Sequence, residues 1–136
     1  DENNFLYSNN GDGTFTKITD DPVVTDGAYS IAGTWGDYNN DGFLDLFVVN
    51  FQQNNMLYTN NGDGSFSEVT TGSIVTDGGS SLCCSWGDYD NDGYLDLFVG
   101  NKFGENNFLY HNNGDGTFNK ITTGDIVNEE SQAFGI

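Results

Sequence analysis

Three times along the chain a short apolar segment, Phe5 to Tyr7, Met56 to Tyr58 and Phe108 to Tyr110, leads into Asn-Asn-Gly-Asp-Gly and then into a segment opened by Phe15, Phe66 or Phe118. Asn and Gly tolerate the positive φ that tight turns between strands demand, so each phrase predicts a β-hairpin. Asp12, Asp63 and Asp115 lack alternating acidic partners and are expected to serve the turn. Two further kinds of segment lie between the hairpins. Ala28 to Trp35 and Gly79 to Trp86 read as small-residue strands, each preceded by a loop with Thr-Asp-Gly at Thr25 to Gly27 and Thr76 to Gly78; the third copy has Asn128-Glu129-Glu130 instead. Phe43 to Asn50 and Tyr94 to Asn101 are apolar on both faces, as expected of strands covered from both sides.

The phrases open at Asn3, Asn54 and Asn106, a period of 51 and then 52 residues. A fixed period of this size decides the fold before local propensity does. Four short antiparallel strands per period predict an all-β chain of β-propeller blades. Residues 1–27 supply the last two strands of a partial blade, 28–78 and 79–129 one blade each, and 130–136 the first strand of the next, about 2.7 blades in all. Neither a Gly-His…Trp-Asp pair nor a nonapeptide glycine repeat occurs, so WD40 blades and calcium β-rolls match poorly. Closed propellers use about four to eight blades. The chain is therefore expected to be part of a longer one and to self-associate through its open faces and edges, a dimer being favoured.

The joint between the first two strands of each blade carries the candidate chemistry. It reads Trp35-Gly-Asp-Tyr-Asn-Asn-Asp-Gly-Phe-Leu-Asp in one copy and Trp86-Gly-Asp-Tyr-Asp-Asn-Asp-Gly-Tyr-Leu-Asp in the other. Oxygen-bearing side chains alternate, then come a glycine and a further aspartate: Asp37, Asn39, Asp41, Gly42, Asp45, and Asp88, Asp90, Asp92, Gly93, Asp96. Calcium needs six to eight oxygens at about 2.3–2.6 Å, so a tight loop must turn several carboxylates inward and add a backbone carbonyl. Phe43 and Tyr94, at the seventh position, would give that carbonyl. An EF-hand would close with a glutamate at the twelfth position, where Val48 and Val99 stand, so two calcium loops of another kind are expected. Oxygen-only donors favour calcium over magnesium, which keeps its waters, and over zinc, which prefers nitrogen and sulfur. Four aspartates in the second loop against three in the first predict tighter binding there.

Composition narrows the partners. Only Lys17, Lys102 and Lys120 oppose 21 acids, a formal charge of −18 that repels nucleic acid and anionic lipid headgroups. Two Trp, seven Tyr and eleven Phe provide a core that disordered acidic chains lack. No apolar run is long enough to insert in a membrane, and no signal peptide is visible. The neighbouring Cys83 and Cys84 are expected as buried free thiols.

The pattern Asp-x-Asn/Asp-x-Asp-Gly-x-x-Asp-Leu, followed by Asn-x-Leu-Tyr-x-Asn-Asn-Gly-Asp-Gly-x-Phe, resembles the FG-GAP/VCBS repeats that build integrin-α-type β-propellers. The resemblance spans essentially the whole chain, although Phe-Gly-Gly-Ala-Pro itself is absent. It implies a ring of about seven blades, calcium loops that stiffen one rim, and adhesion, protein recognition or sugar binding, mostly extracellular, at the cell surface or periplasmic. A lectin is one alternative, with Trp35 and Trp86 stacking on sugar, although inter-blade packing is the plainer expectation for both. A fragment of a propeller-containing enzyme such as a polysaccharide lyase is another. The lone histidine, His111, replaces Ser8 and Thr59 of the other copies and is expected as a surface side chain at a strand end, so no nucleophilic triad is available and a non-catalytic module is favoured.

Overall fold

The structure, a computed structural model, describes residues 3–128. Strands β1 (Leu6–Asn9) and β2 (Phe15–Ile18) form a two-stranded antiparallel hairpin. Strands β3 (Ser30–Gly36), β4 (Asp45–Asn54), β5 (Met56–Asn60) and β6 (Phe66–Val69) make a four-stranded antiparallel meander. Strands β7 (Gly78–Gly87), β8 (Asp96–Asn101), β9 (Phe108–Asn112) and β10 (Phe118–Ile121) repeat it. The chain is thus all-β, one half-blade and two whole propeller blades. The acidic loop joins the first two strands of each whole blade and the Asn-Gly-Asp-Gly turn joins the last two. The segment 130–136, expected to start a further blade, lies outside the described residues.

Alternation explains the packing. Strand β4 is buried from Asp45 to Asn50 and exposed from Gln52 to Asn54, its two faces feeding separate clusters, and β8 is buried except at the half-buried Phe98. Phe47, Val49, Leu57, Leu97, Val99 and Tyr110 form the main cluster between the two blades. Trp86 is inserted in that seam, stacked on Tyr38 with centroids 6.1 Å apart and an interplanar angle of 9°, and edge-on to Phe47. The approach is so close that a Cβ on Gly36 would lie 2.6 Å from Trp86 Cδ1. Trp86 therefore packs between blades. Its counterpart Trp35 is 47% exposed and faces a groove toward β1.

Two features depart from the expected elements. Each blade is preceded by a single helical turn where a loop was expected: α1 (Pro22–Thr25) and α2 (Ser73–Thr76), with α3 (Asp125–Asn128) after the last. Pro22 suits the first helical position, and the Asp21 carboxylate accepts a hydrogen bond from Val23 N at 3.0 Å. What holds the turns is burial: Val23 and Val24 join Leu46, Val48 and Tyr58, while Ile74 and Val75 join the main cluster. Second, β4 outruns its own blade and pairs with β7 through Phe51–Ser80, Gln53–Gly79 and Asn54–Gly78. A bulge at Gln52, whose φ is 56°, re-aims the strand.

Candidate metal centre

The two acidic loops fold alike because the same side chains tie the same amides. Asp37 accepts from Asp41 N and Gly42 N at 3.0 and 2.9 Å, and Asp88 accepts from Asp92 N and Gly93 N at 3.0 Å each. Asp41 and Asp92 accept from Phe43 N and Tyr94 N at 2.8 and 2.9 Å. Asn40 and Asn91 sit at φ 57° and 61°, the left-handed conformation that asparagine tolerates, and Gly42 and Gly93 at 91°. Each carboxylate oxygen has a second lone pair free to meet a cation.

The final aspartate of each loop anchors it. Asp45 is fully buried and accepts from Tyr38 N at 3.2 Å and Asn60 N at 2.8 Å; Asp96 accepts from Tyr89 N at 3.1 Å and Asn112 N at 2.8 Å. Burial pushes the Asp45 carboxyl up to about 6, against the pull of those two amides, and the neighbouring Asp41 and Asp37 charges push the same way. Burial is thus the main cause, and the charges of Asp41 and Asp37 add to it.

The loops are bound into the blades and to each other. The Phe43 ring lies over Gly62 and the Tyr94 ring over Gly114, so the seventh loop residue covers the hairpin turn of its own blade. Asn60 and Asn112 donate to Leu44 O and Leu95 O at 3.1 and 3.0 Å. Asn112 also donates to Tyr38 O at 2.8 Å, and Asn40 donates to Gly93 O at 3.2 Å, both across the blade boundary. Sequence reading passed over these asparagines, although Asn60 and Asn112 hold the same place in the Tyr-x-Asn-Asn-Gly phrase.

Asp12, Asp63 and Asp115 serve their turns as expected, each accepting from the backbone and hydroxyl of Thr14, Ser65 or Thr117. Those hydrogen bonds, the hydroxyl's first, hold their carboxyls below the ordinary range. The thiols are free, Cys83 buried and Cys84 half-buried, with burial raising both and taking Cys84 up to about 12.

His111 requires a correction. It lies within β9 with its side chain 26% exposed, turned toward the second loop. The strand alternation that buries Tyr110 points His111 to the rim, where the loop folds over it. Its Nδ1 stands 3.3 Å from both Asp90 Oδ2 and Asp96 Oδ1. Among the described residues, two groups of three metal-binding side chains converge with their ligand atoms within 4.8 Å: Asp88, Asp90 and Asp92, and Asp90, Asp96 and His111.

The sequence profile of the FG-GAP-like repeat matches residues 1–48, 37–99 and 88–136. The chain belongs to the FG-GAP repeat family. The matches overlap at the two acidic loops, so the loop is the joint on which successive FG-GAP repeats are registered. No curated protein matches the chain. No helix among the described residues is long and apolar enough to cross a membrane.

Proposed function

We propose that this array of FG-GAP repeats is a calcium-stabilised, non-catalytic recognition module that works outside the cytoplasm, its calcium structural. The observation that carries the reading is Asp45: a fully buried carboxylate, pushed up to about 6, beside Asp37 and Asp41. A divalent cation among them would turn repulsion into attraction and favour the charged form. Each loop would contribute its carboxylates and the Phe43 or Tyr94 carbonyl, and the cation would lock loop, hairpin and blade seam together.

Calorimetric titration of the metal-free chain tests this. Two calcium ions per chain are expected, with Asp45→Ala and Asp96→Ala each losing one. Thermal stability should rise with calcium, by about 2.7 kcal/mol per site when free calcium is 100 times its dissociation constant. A chain that takes up no calcium at millimolar concentrations would sink the reading. The second loop is expected to bind more tightly, so Asp37→Ala should retain the tighter site and Asp88→Ala the weaker.

Trp35 favours a second reading, sugar recognition. It is 47% exposed and lines a groove with Leu6, Leu44 and Phe66, an aromatic platform of the kind that stacks on a pyranose ring. A glycan array on the native chain and on Trp35→Ala distinguishes it: glycan binding lost in the variant supports a lectin, and no glycan binding leaves protein recognition.

A further inference from the structure

The two metal loops are nearly the same in sequence, yet their surroundings differ at one point in space. In the first blade Asn39 holds the third loop position, and Thr59 of β5 sits beside the loop with its Oγ1 2.8 Å from the Tyr38 hydroxyl. In the second blade the corresponding residues are Asp90 and His111. An amide and an alcohol have been exchanged for a carboxylate and an imidazole, and those two groups meet at 3.3 Å.

We infer that the second blade holds a mixed nitrogen–oxygen site, formed by His111 Nδ1, Asp90 and Asp96, that takes a borderline divalent cation such as zinc in preference to calcium. This deepens the reading of the loops as metal sites and rests on it. His111 Nδ1 is buried and makes no hydrogen bond, although Asp90 Oδ2 and Asp96 Oδ1 each lie 3.3 Å away. Donors about 2.0–2.1 Å from a tetrahedral ion stand about 3.3 Å apart, so the spacing suits a shared cation. Spacing alone also suits a larger ion; the nitrogen decides which. Calcium is a hard ion that selects oxygen, whereas imidazole is a preferred ligand of zinc, nickel and copper.

The surroundings support ligation. Asp96 is 1% exposed and is fixed by the Tyr89 and Asn112 amides, so its Oδ1 cannot swing away from the ring. On the far side His111 Nε2 lies 4.0 Å from Asp92 Oδ2, beyond hydrogen-bond reach, so a small shift of either side chain would be needed for Asp92 to orient a ligating imidazole. Tyr89 closes one wall, edge-on to the imidazole with centroids 6.2 Å apart. Without zinc both loops take calcium; with zinc present the second loop exchanges its ion, because Asp90 and Asp96 serve either metal, and calcium remains at the first loop.

His111 is the chain's single histidine, so untagged full-length protein reports on the site directly. The experiment adds zinc to the calcium-saturated chain and follows zinc stoichiometry together with the nitrogen NMR signals of the histidine ring. One zinc per chain is expected, with one ring nitrogen moved into the metal-bound range by zinc and not by calcium. Removing even an outer partner of a metal site costs about 10–100-fold in affinity; His111→Thr, which restores the residue of the first blade, should therefore weaken zinc at least about tenfold. That variant should still bind calcium at the first loop, which shows that it is folded. Zinc that binds His111→Thr equally well, or that leaves the ring nitrogens unmoved, overturns the inference. The two readings fail separately: calcium uptake without zinc at His111 removes only this one, and zinc at His111 with no calcium uptake at the first loop removes only the calcium reading.

Discussion

Asp45 has no exposed surface, and burial raises its carboxyl to about 6, so a proton would compete with the proposed calcium well above the usual aspartate range. Calcium binding at the first loop is expected to weaken as pH falls through about 6, which titrations at pH 7.5 and 5 would register; equal affinities at both would refute it. The sign reverses for the metal-free chain. There the folded state holds a proton that the unfolded chain, with its lower pKa, has released, so this group adds stability below the unfolded value and the gain is lost as pH rises through about 6. Gly36 is a second sensitive position. Gly36→Ala pushes a methyl to 2.6 Å from the Trp86 indole, an overpacking expected to cost about 1–3 kcal/mol, read as a lower melting temperature. Some residue roles were legible from pattern alone: the turn aspartates, because a hairpin phrase repeats around them, and the joining of two strands by each acidic loop, because the loop's aspartates tie amides of the same loop. His111 was not, since nothing in the sequence near it shows that β9 runs beneath a loop about twenty residues upstream.

At the level of elements, the hairpin turn and the acidic loop are one unit, because Tyr94 lies on Gly114 as Phe43 lies on Gly62. Two glycines of the same turn separate strain from contact. Gly114→Ala brings a Cβ to 2.5 Å from Tyr94 Cζ at φ 73°, whereas Gly116→Ala at φ 86° meets nothing within 4 Å. Both should lose about 1–2 kcal/mol from the left-handed backbone, but only Gly114→Ala should also weaken metal binding at the second loop, as titration of the two variants would show. Strand number, order and joints followed from period and turn chemistry, and the blades follow them. The helical turns escaped detection for a physical reason: four residues carry no helical period, and Val23, Val24, Ile74 and Val75 turn inward only because a neighbouring sheet is there to cover them. The run of β4 past its own blade was equally hidden, since the residues that continue it, Phe51 to Asn54, resemble a loop until β7 pairs with them.

For the whole molecule, charge and open surfaces set the behaviour. Two calcium ions would bring the formal charge from −18 to −14, so the metal-free chain should gain more stability from added salt than the calcium-loaded one. Melting curves at low and high sodium chloride, with and without chelator, measure the difference. Self-association is proposed as well: β3 leaves Ile31 and Trp35 exposed at 41% and 47%, and light scattering in millimolar calcium should find a dimer, while a monomer across the working concentration range would reject it. The continuity of β4 has a mechanical side. One unbroken length of backbone begins at the buried carboxylate of the first acidic loop, crosses the hydrophobic interior and ends stitched to the opening strand of the next blade. A pull on either blade is thereby delivered to its neighbour through the short ladder that pairs β4 with β7, so Phe51, Gln53 and Asn54 stand where load would pass between the blades.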